Sequence, residues 1–114
     1  MNFQSPSKVL ERLVIVFPDF KNAWEDENPY VLDDGSFSLH AVYMVLLLYL
    51  TRNYKDFHSE QLEQFAAVIN SAVASGEDSE NAVSTCFLEH LGQVGLVKWL
   101  KPLLTKEARL RLHA

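Results

Sequence analysis

Cys86 and His90 are the residues whose types and spacing come nearest to doing chemistry. At a separation of four on a helix, a thiol and an imidazole share one face, which suits two zinc ligands or a nucleophile beside its base. Zinc needs four ligands in a structural site, and Cys86 is the sole cysteine, with His40, His58 and His113 scattered along the chain. No metal is therefore expected. A nucleophile needs an exposed thiolate of lowered pKa, whereas Cys86 lies between Val83 and Phe87 on an apolar-rich segment and reads as a buried structural thiol. The adjacent carboxylates Asp33-Asp34 and Glu77-Asp78 read as solvated turn charges, because adjacency alone does not tune an acid against a base. The four glycines are isolated, so there is no phosphate-cradling loop and no nucleophile elbow. No enzyme, catalytic residue or cofactor is expected.

Charge is the second chemical signal. Residues 1–97 carry fourteen acids against five Lys and Arg, a net of −9, and residues 98–114 carry five bases against Glu107, a net of +4. The acids gather where the chain turns: Glu25-Asp26-Glu27, Asp33-Asp34, and Glu77-Asp78 with Glu80. Acidic connectors favour a basic protein partner and disfavour nucleic acid. Trp24 and Tyr30 flank the first cluster, as aromatic anchors of a binding surface would, although Trp24 suits core packing equally well. The basic end, with Ala108, Leu110 and Leu112 between its charges, reads as an amphipathic closing helix rather than a nucleic-acid or membrane contact.

The elements that must position these residues are helices. At 114 residues the chain makes one domain, residues 1–114, with room for a core. Its longest apolar run, Ala41 to Leu50, is about half of a membrane span and predicts a central buried helix from Ser36 or Ser38 to about Tyr54. Before it, Ser5 or Ser7 with Pro6 opens a helix carrying Val9, Leu10, Leu13, Val14 and Phe17. Pro18 breaks that helix, and Asp19 caps a short continuation. After it, Ser59 opens a helix with a core stripe of Leu62, Phe65, Ala66, Ile69 and Val73, stopping near Gly76. Ser79 is expected to cap a helix running to Leu91, on which Asn81, Thr85, Glu89 and Gln93 form a polar face. Tyr43 and Tyr49 are expected in the core with their hydroxyls reaching a polar edge. The fold class is all-α, about five or six helices around the central one. A lone cysteine and the lack of a signal-peptide pattern point to a cytoplasmic protein.

Two stretches also carry a resemblance: Asp33-Asp34-Gly35-Ser36-Phe37-Ser38-Leu39-His40 and Asn81-Ala82-Val83-Ser84-Thr85-Cys86-Phe87-Leu88-Glu89, followed by a Lys-Pro-containing tail. Together they resemble a family of small bacterial all-helical proteins over most of the span from Pro18 to Leu104. Some of its members look like immunity proteins that accompany polymorphic or contact-dependent growth inhibition toxins. The resemblance implies a bacterial cytoplasmic protein and supplies no catalytic residue. The expected function is an immunity protein that binds a cognate, basic toxin domain, such as a nuclease, through Glu25, Asp26, Glu27, Asp33 and Asp34. Trp24 and Tyr30 would be its anchors, and Glu77, Asp78 and Glu80 a second patch. A helical adaptor or assembly module for another bacterial complex is the alternative reading. No oligomeric state follows from these residues.

Overall fold

Ser5 accepts a hydrogen bond from the Lys8 N–H and Pro6 occupies the first turn, so α1 spans Pro6–Val16. The computed structural model describes residues 5–26, 31–92 and 95–112, apart from the side chains of residues 77 and 78. Pro18 ends the α1 segment, and α2 (Phe20–Glu25) follows a two-residue turn. Ser38 caps α3 (Leu39–Asn53) by accepting from the Ala41 N–H. A 3-10 turn at Tyr54–Asp56 leads to α4 (Ser59–Ser75). Then come α5 (Glu77–Cys86), a 3-10 turn at Leu88–His90, α6 (Val97–Leu100), a 3-10 turn at Lys101–Leu103 and α7 (Lys106–Arg109). The fold is all-α, with no strand among the described residues.

Helix α3 is central because nearly every side of it is apolar. Ala41, Val42, Tyr43, Leu46 and Leu50 are buried, and α1, α2 and α5 all pack on it. Helix α4 closes the other side of α1 and α5, contributing Phe65, Ile69 and Ala72 to the same core. Aromatic rings join these layers: Phe65 lies 5.4 Å from Phe17 and 5.6 Å from Phe87, centroid to centroid. The radius of gyration, 13.1 Å, is that of one domain of this length.

Three local expectations change. The fourth helix is capped at His58 rather than Ser59, and the His58 N–H donates to Gln61 Oε1 at 2.9 Å. Ser79 is not a cap. Gly76 ends α4 and begins α5, its φ of 70° and ψ of −174° lying in a region open essentially to glycine. The helix thus starts two residues before Ser79, which is buried inside it. Finally, α5 does not reach Leu91. The chain leaves the helix at Phe87 (φ −131°, ψ −69°), and this turn seats Phe87, Leu88 and Leu91 fully in the core. Glu89 therefore departs from the helical row of Asn81 and Thr85, and Gln93 lies outside the described residues.

Tyr43 departs from expectation as well. Its ring is wholly buried, yet its hydroxyl has no hydrogen-bond partner among the described residues. Burial pushes the phenol pKa far above its ordinary value. An orphaned buried hydroxyl costs stability, so Tyr43→Phe is expected to stabilise the protein by about 1 kcal/mol. Urea unfolding of the two proteins measures this, and a loss of stability on substitution contradicts it.

The C-terminal end is tied down by polar contacts rather than by helix length. Asn70 on α4 donates from Nδ2 to the Leu103 carbonyl at 3.2 Å and accepts at Oδ1 from the Thr105 N–H at 2.9 Å. Thr105 caps α7 by accepting from the Ala108 N–H. The closing helix is a single turn, with Ala108 buried and Leu110 exposed.

Candidate functional site

The acidic connector between α2 and α3 is bracketed by an aromatic contact between buried Trp24 and partly buried Phe37. Trp24, near the end of α2, is only 8% exposed and meets Phe37 edge-on at 4.8 Å. It is therefore a core residue and not a surface anchor. Its place follows from the helical spacing with Phe20, since positions four apart share the inward face. Glu25, the last residue of α2, and Asp26, its C-cap, are exposed directly after this clamp. Asp33 and Asp34 are exposed a few residues before Phe37.

Around the second pair the backbone forms an ordered turn. The Leu32 N–H donates to the Ser36 carbonyl at 2.9 Å, and the Gly35 N–H donates to the Leu32 carbonyl at 2.8 Å. Gly35 adopts φ 85°, a conformation that favours glycine. Asp34 Oδ1 accepts from the Ser36 N–H at 2.9 Å and from the Ser36 hydroxyl at 2.6 Å. These two bonds, the hydroxyl first, hold the Asp34 pKa below the ordinary carboxylate value. The turn is consequently tightest above the ordinary carboxylate range and loosens as pH falls through the lowered value. Leu32, 63% exposed, stands beside these acids in the same turn. Sequence reasoning missed it because a single leucine in a polar turn carries no periodic signal.

The remaining predicted residues are distributed differently. Glu27 and Tyr30 lie outside the described residues. Glu77 and Asp78 form the start of α5, and their side chains also lie outside the description. Glu80 is not a free acid: its Oε2 pairs with Arg111 Nη2 at 2.6 Å, about a third of each side chain being exposed. Arg109 donates to the carbonyls of Lys101 and Pro102 at 3.1 and 3.4 Å. Part of the positive end of the chain is thus spent inside the molecule, docking the tail on α5 and on itself.

Cys86 is in a different setting from the one expected. It is half-buried rather than enclosed, and its Sγ lies 2.9 Å from Nδ1 of His40 on α3. Burial, with Glu89 second, pushes the thiol pKa up. The partner is 46 residues away in sequence, which the four-residue spacing to His90 concealed. Cys86, Thr85 and His90 line one side of a groove of about 350 Å³, and Met44, Leu47 and Leu48 of α3 line the other. Among the described residues, no cluster of three His, Cys, Asp or Glu is placed to hold a metal ion. Nor is any helix there long and apolar enough to cross a membrane.

The description of one protein family, Domain of unknown function (DUF7674), matches residues 10–112. No curated protein and no solved structure matches the chain.

Proposed function

We propose that this chain, which belongs to the Domain of unknown function (DUF7674) family, is a cytoplasmic, non-enzymatic binding protein of the immunity type. In this reading it captures a basic toxin domain through the acidic connector between α2 and α3. The observation that carries the reading is the clamped connector. Glu25 and Asp26 are exposed just after Trp24 in the chain and Asp33 and Asp34 just before Phe37, and the turn holding the second pair is fixed by its own hydrogen bonds. A preformed acidic surface loses little entropy on binding, and its field speeds encounter with a cationic cleft. Leu32, 63% exposed, offers an apolar surface among the charges that a partner could cover.

The test is a fourfold neutralised variant, Glu25→Gln, Asp26→Asn, Asp33→Asn and Asp34→Asn. Exposed charges contribute little to folding, so its unfolding free energy is expected to stay within about 0.5 kcal/mol of the parent. Association with the partner captured from the native bacterium is expected to slow by at least about tenfold at low salt, with the difference shrinking as salt screens the field. Stopped-flow binding across a salt series reads both effects. Equal association rates at low salt would overturn the acidic interface. Capture of an assembly component instead of a toxin would replace immunity with the adaptor role.

A further inference from the structure

Tyr49 combines burial with an unused polar group. It lies in the last two turns of α3 and is only 9% exposed, yet its hydroxyl makes no hydrogen bond to another described residue. It lines a small polar pocket of about 170 Å³, formed by the Pro18–Asp19 turn, the end of α3 and the 3-10 turn at Tyr54–Asp56. Asp19 and Asp56 stand exposed at the rim, on two different elements. Burial, then Asp19 and Asp56, push the phenol pKa up, which places its oxygen in the field of both carboxylates. The rings of Phe17 and Phe57, 4.4 Å apart, make the apolar wall. We propose that this pocket receives the guanidinium of an arginine side chain from another protein. Asp19 and Asp56 pair with it, Tyr49 and Asn53 accept its remaining N–H groups, and Phe57 lies against its plane.

The hydrogen bonds already made decide what the pocket lacks. Gln61 Oε1 accepts from the His58 N–H at 2.9 Å and its Nε2 donates to the Val16 carbonyl at 3.1 Å, so that amide is used at both ends. Asn53 donates from Nδ2 to the Tyr49 carbonyl at 2.9 Å, and its Oδ1 has no partner among the described residues. Asp19 does not cap α2 with its side chain, and neither it nor Asp56 has an ion-pair partner among the described residues. Lys55, next to Asp56 in sequence, is turned onto the Tyr54 ring, 5.8 Å from its centroid. Both carboxylates and Asn53 Oδ1 can only accept. A ligand must therefore bring several donors. A guanidinium presents five in one plane, and its face stacks on an aromatic ring.

Other occupants fit less well. Calcium takes about six to eight oxygen ligands, and an aromatic wall supplies none. Small-molecule sites occupy about 300–1,000 Å³, more than this pocket holds, whereas the head of one side chain suits it. An ammonium would pair with the acids but has no plane to lay on Phe57. The pocket is separate from the acidic connector, which precedes α3, so its test stands whatever the fate of the immunity reading.

The test is a titration of the isotope-labelled full chain with N-acetyl-arginine-N-methylamide, read by amide NMR shifts. Saturable shifts centred on Asn53, Asp56, Phe57 and Gln61 are expected, with a Kd on the order of 1 mM, as suits a single side chain. The capped citrulline analogue keeps the shape, loses the charge, and is expected to bind at least about tenfold more weakly. Asp19→Asn combined with Asp56→Asn is expected to weaken arginine binding by at least about tenfold, and Tyr49→Phe by about threefold. Both variants are expected to keep the circular dichroism of the parent, since the carboxylates are exposed and the hydroxyl has no partner to lose. Equal binding of the two analogues would overturn the proposal, as would unchanged arginine affinity in the folded double variant. Shifts that rise without saturation at every exposed acid would overturn it too. Saturable binding of n-propylguanidinium without the capped arginine would overturn a protein side chain as the occupant.

Discussion

Truncating Phe65 to alanine is expected to lower the unfolding free energy by about 3–5 kcal/mol. Phe65 is fully buried and stands where four elements meet. Its ring lies 5.4 Å from Phe17 after α1, 5.6 Å from Phe87 after α5 and 6.4 Å from Trp99 on α6. The alanine variant loses the transfer free energy of the ring and leaves a cavity that helices on several sides cannot all close. Against a total stability of about 5–15 kcal/mol for a domain of this kind, that brings the protein near its unfolding threshold. Urea titration followed by circular dichroism measures it as a lowered midpoint with an unchanged slope. Phe65→Leu, which keeps most of the apolar volume, is expected to lose much less. A loss below about 1 kcal/mol for the alanine variant would contradict the packing described.

The second large effect concerns Trp24 and separates two roles that the sequence leaves open. As a clamp on Phe37, Trp24 replaced by alanine should cost about 3–5 kcal/mol and release the connector from α2. Trp24→Phe should retain a substantial part of that stability, because an aromatic ring still fills the space. A surface anchor would behave in the opposite way, with stability unchanged and binding lost. Thermal or urea unfolding of the two variants decides the matter without any partner. Proteolysis within the connector should also quicken in Trp24→Ala, as the ends of the acidic segment are no longer held together.

The two sites were legible to different degrees. Acid placement was visible, since Glu25, Asp26, Asp33 and Asp34 occupy turns in the sequence and exposed positions in the fold. Of the two aromatics read as possible anchors, Trp24 is buried and Tyr30 lies outside the described residues. An aromatic next to acids has the composition of a hot spot, yet the inward helical register of Phe20 and Trp24 outweighs composition. Glu80 read as a surface charge until the tail brought Arg111 to it from 31 residues away. The thiol was taken with His90 because spacing four suggests a shared helical face. The break at Phe87 removes that helix, and His40 takes the thiol instead.

What the amino-acid sequence determined by itself is what depends on neighbours within a few residues. The 3.6-residue apolar stripes set the helices, Ser5 and Ser38, each one of two expected caps, cap α1 and α3, and Gly76 ends α4. The hydrophobicity of residues 41–50 put α3 at the centre. Tertiary structure alone decided which side of a connector faces the core, which acid meets which base, and which imidazole meets the thiol. Those pairings join residues 13, 31 and 46 positions apart, Trp24–Phe37, Glu80–Arg111 and His40–Cys86. Helix periodicity and capping act over a single turn and can be read along the chain. A contact between distant residues depends on how whole helices cross and on which side chains fill the space between them.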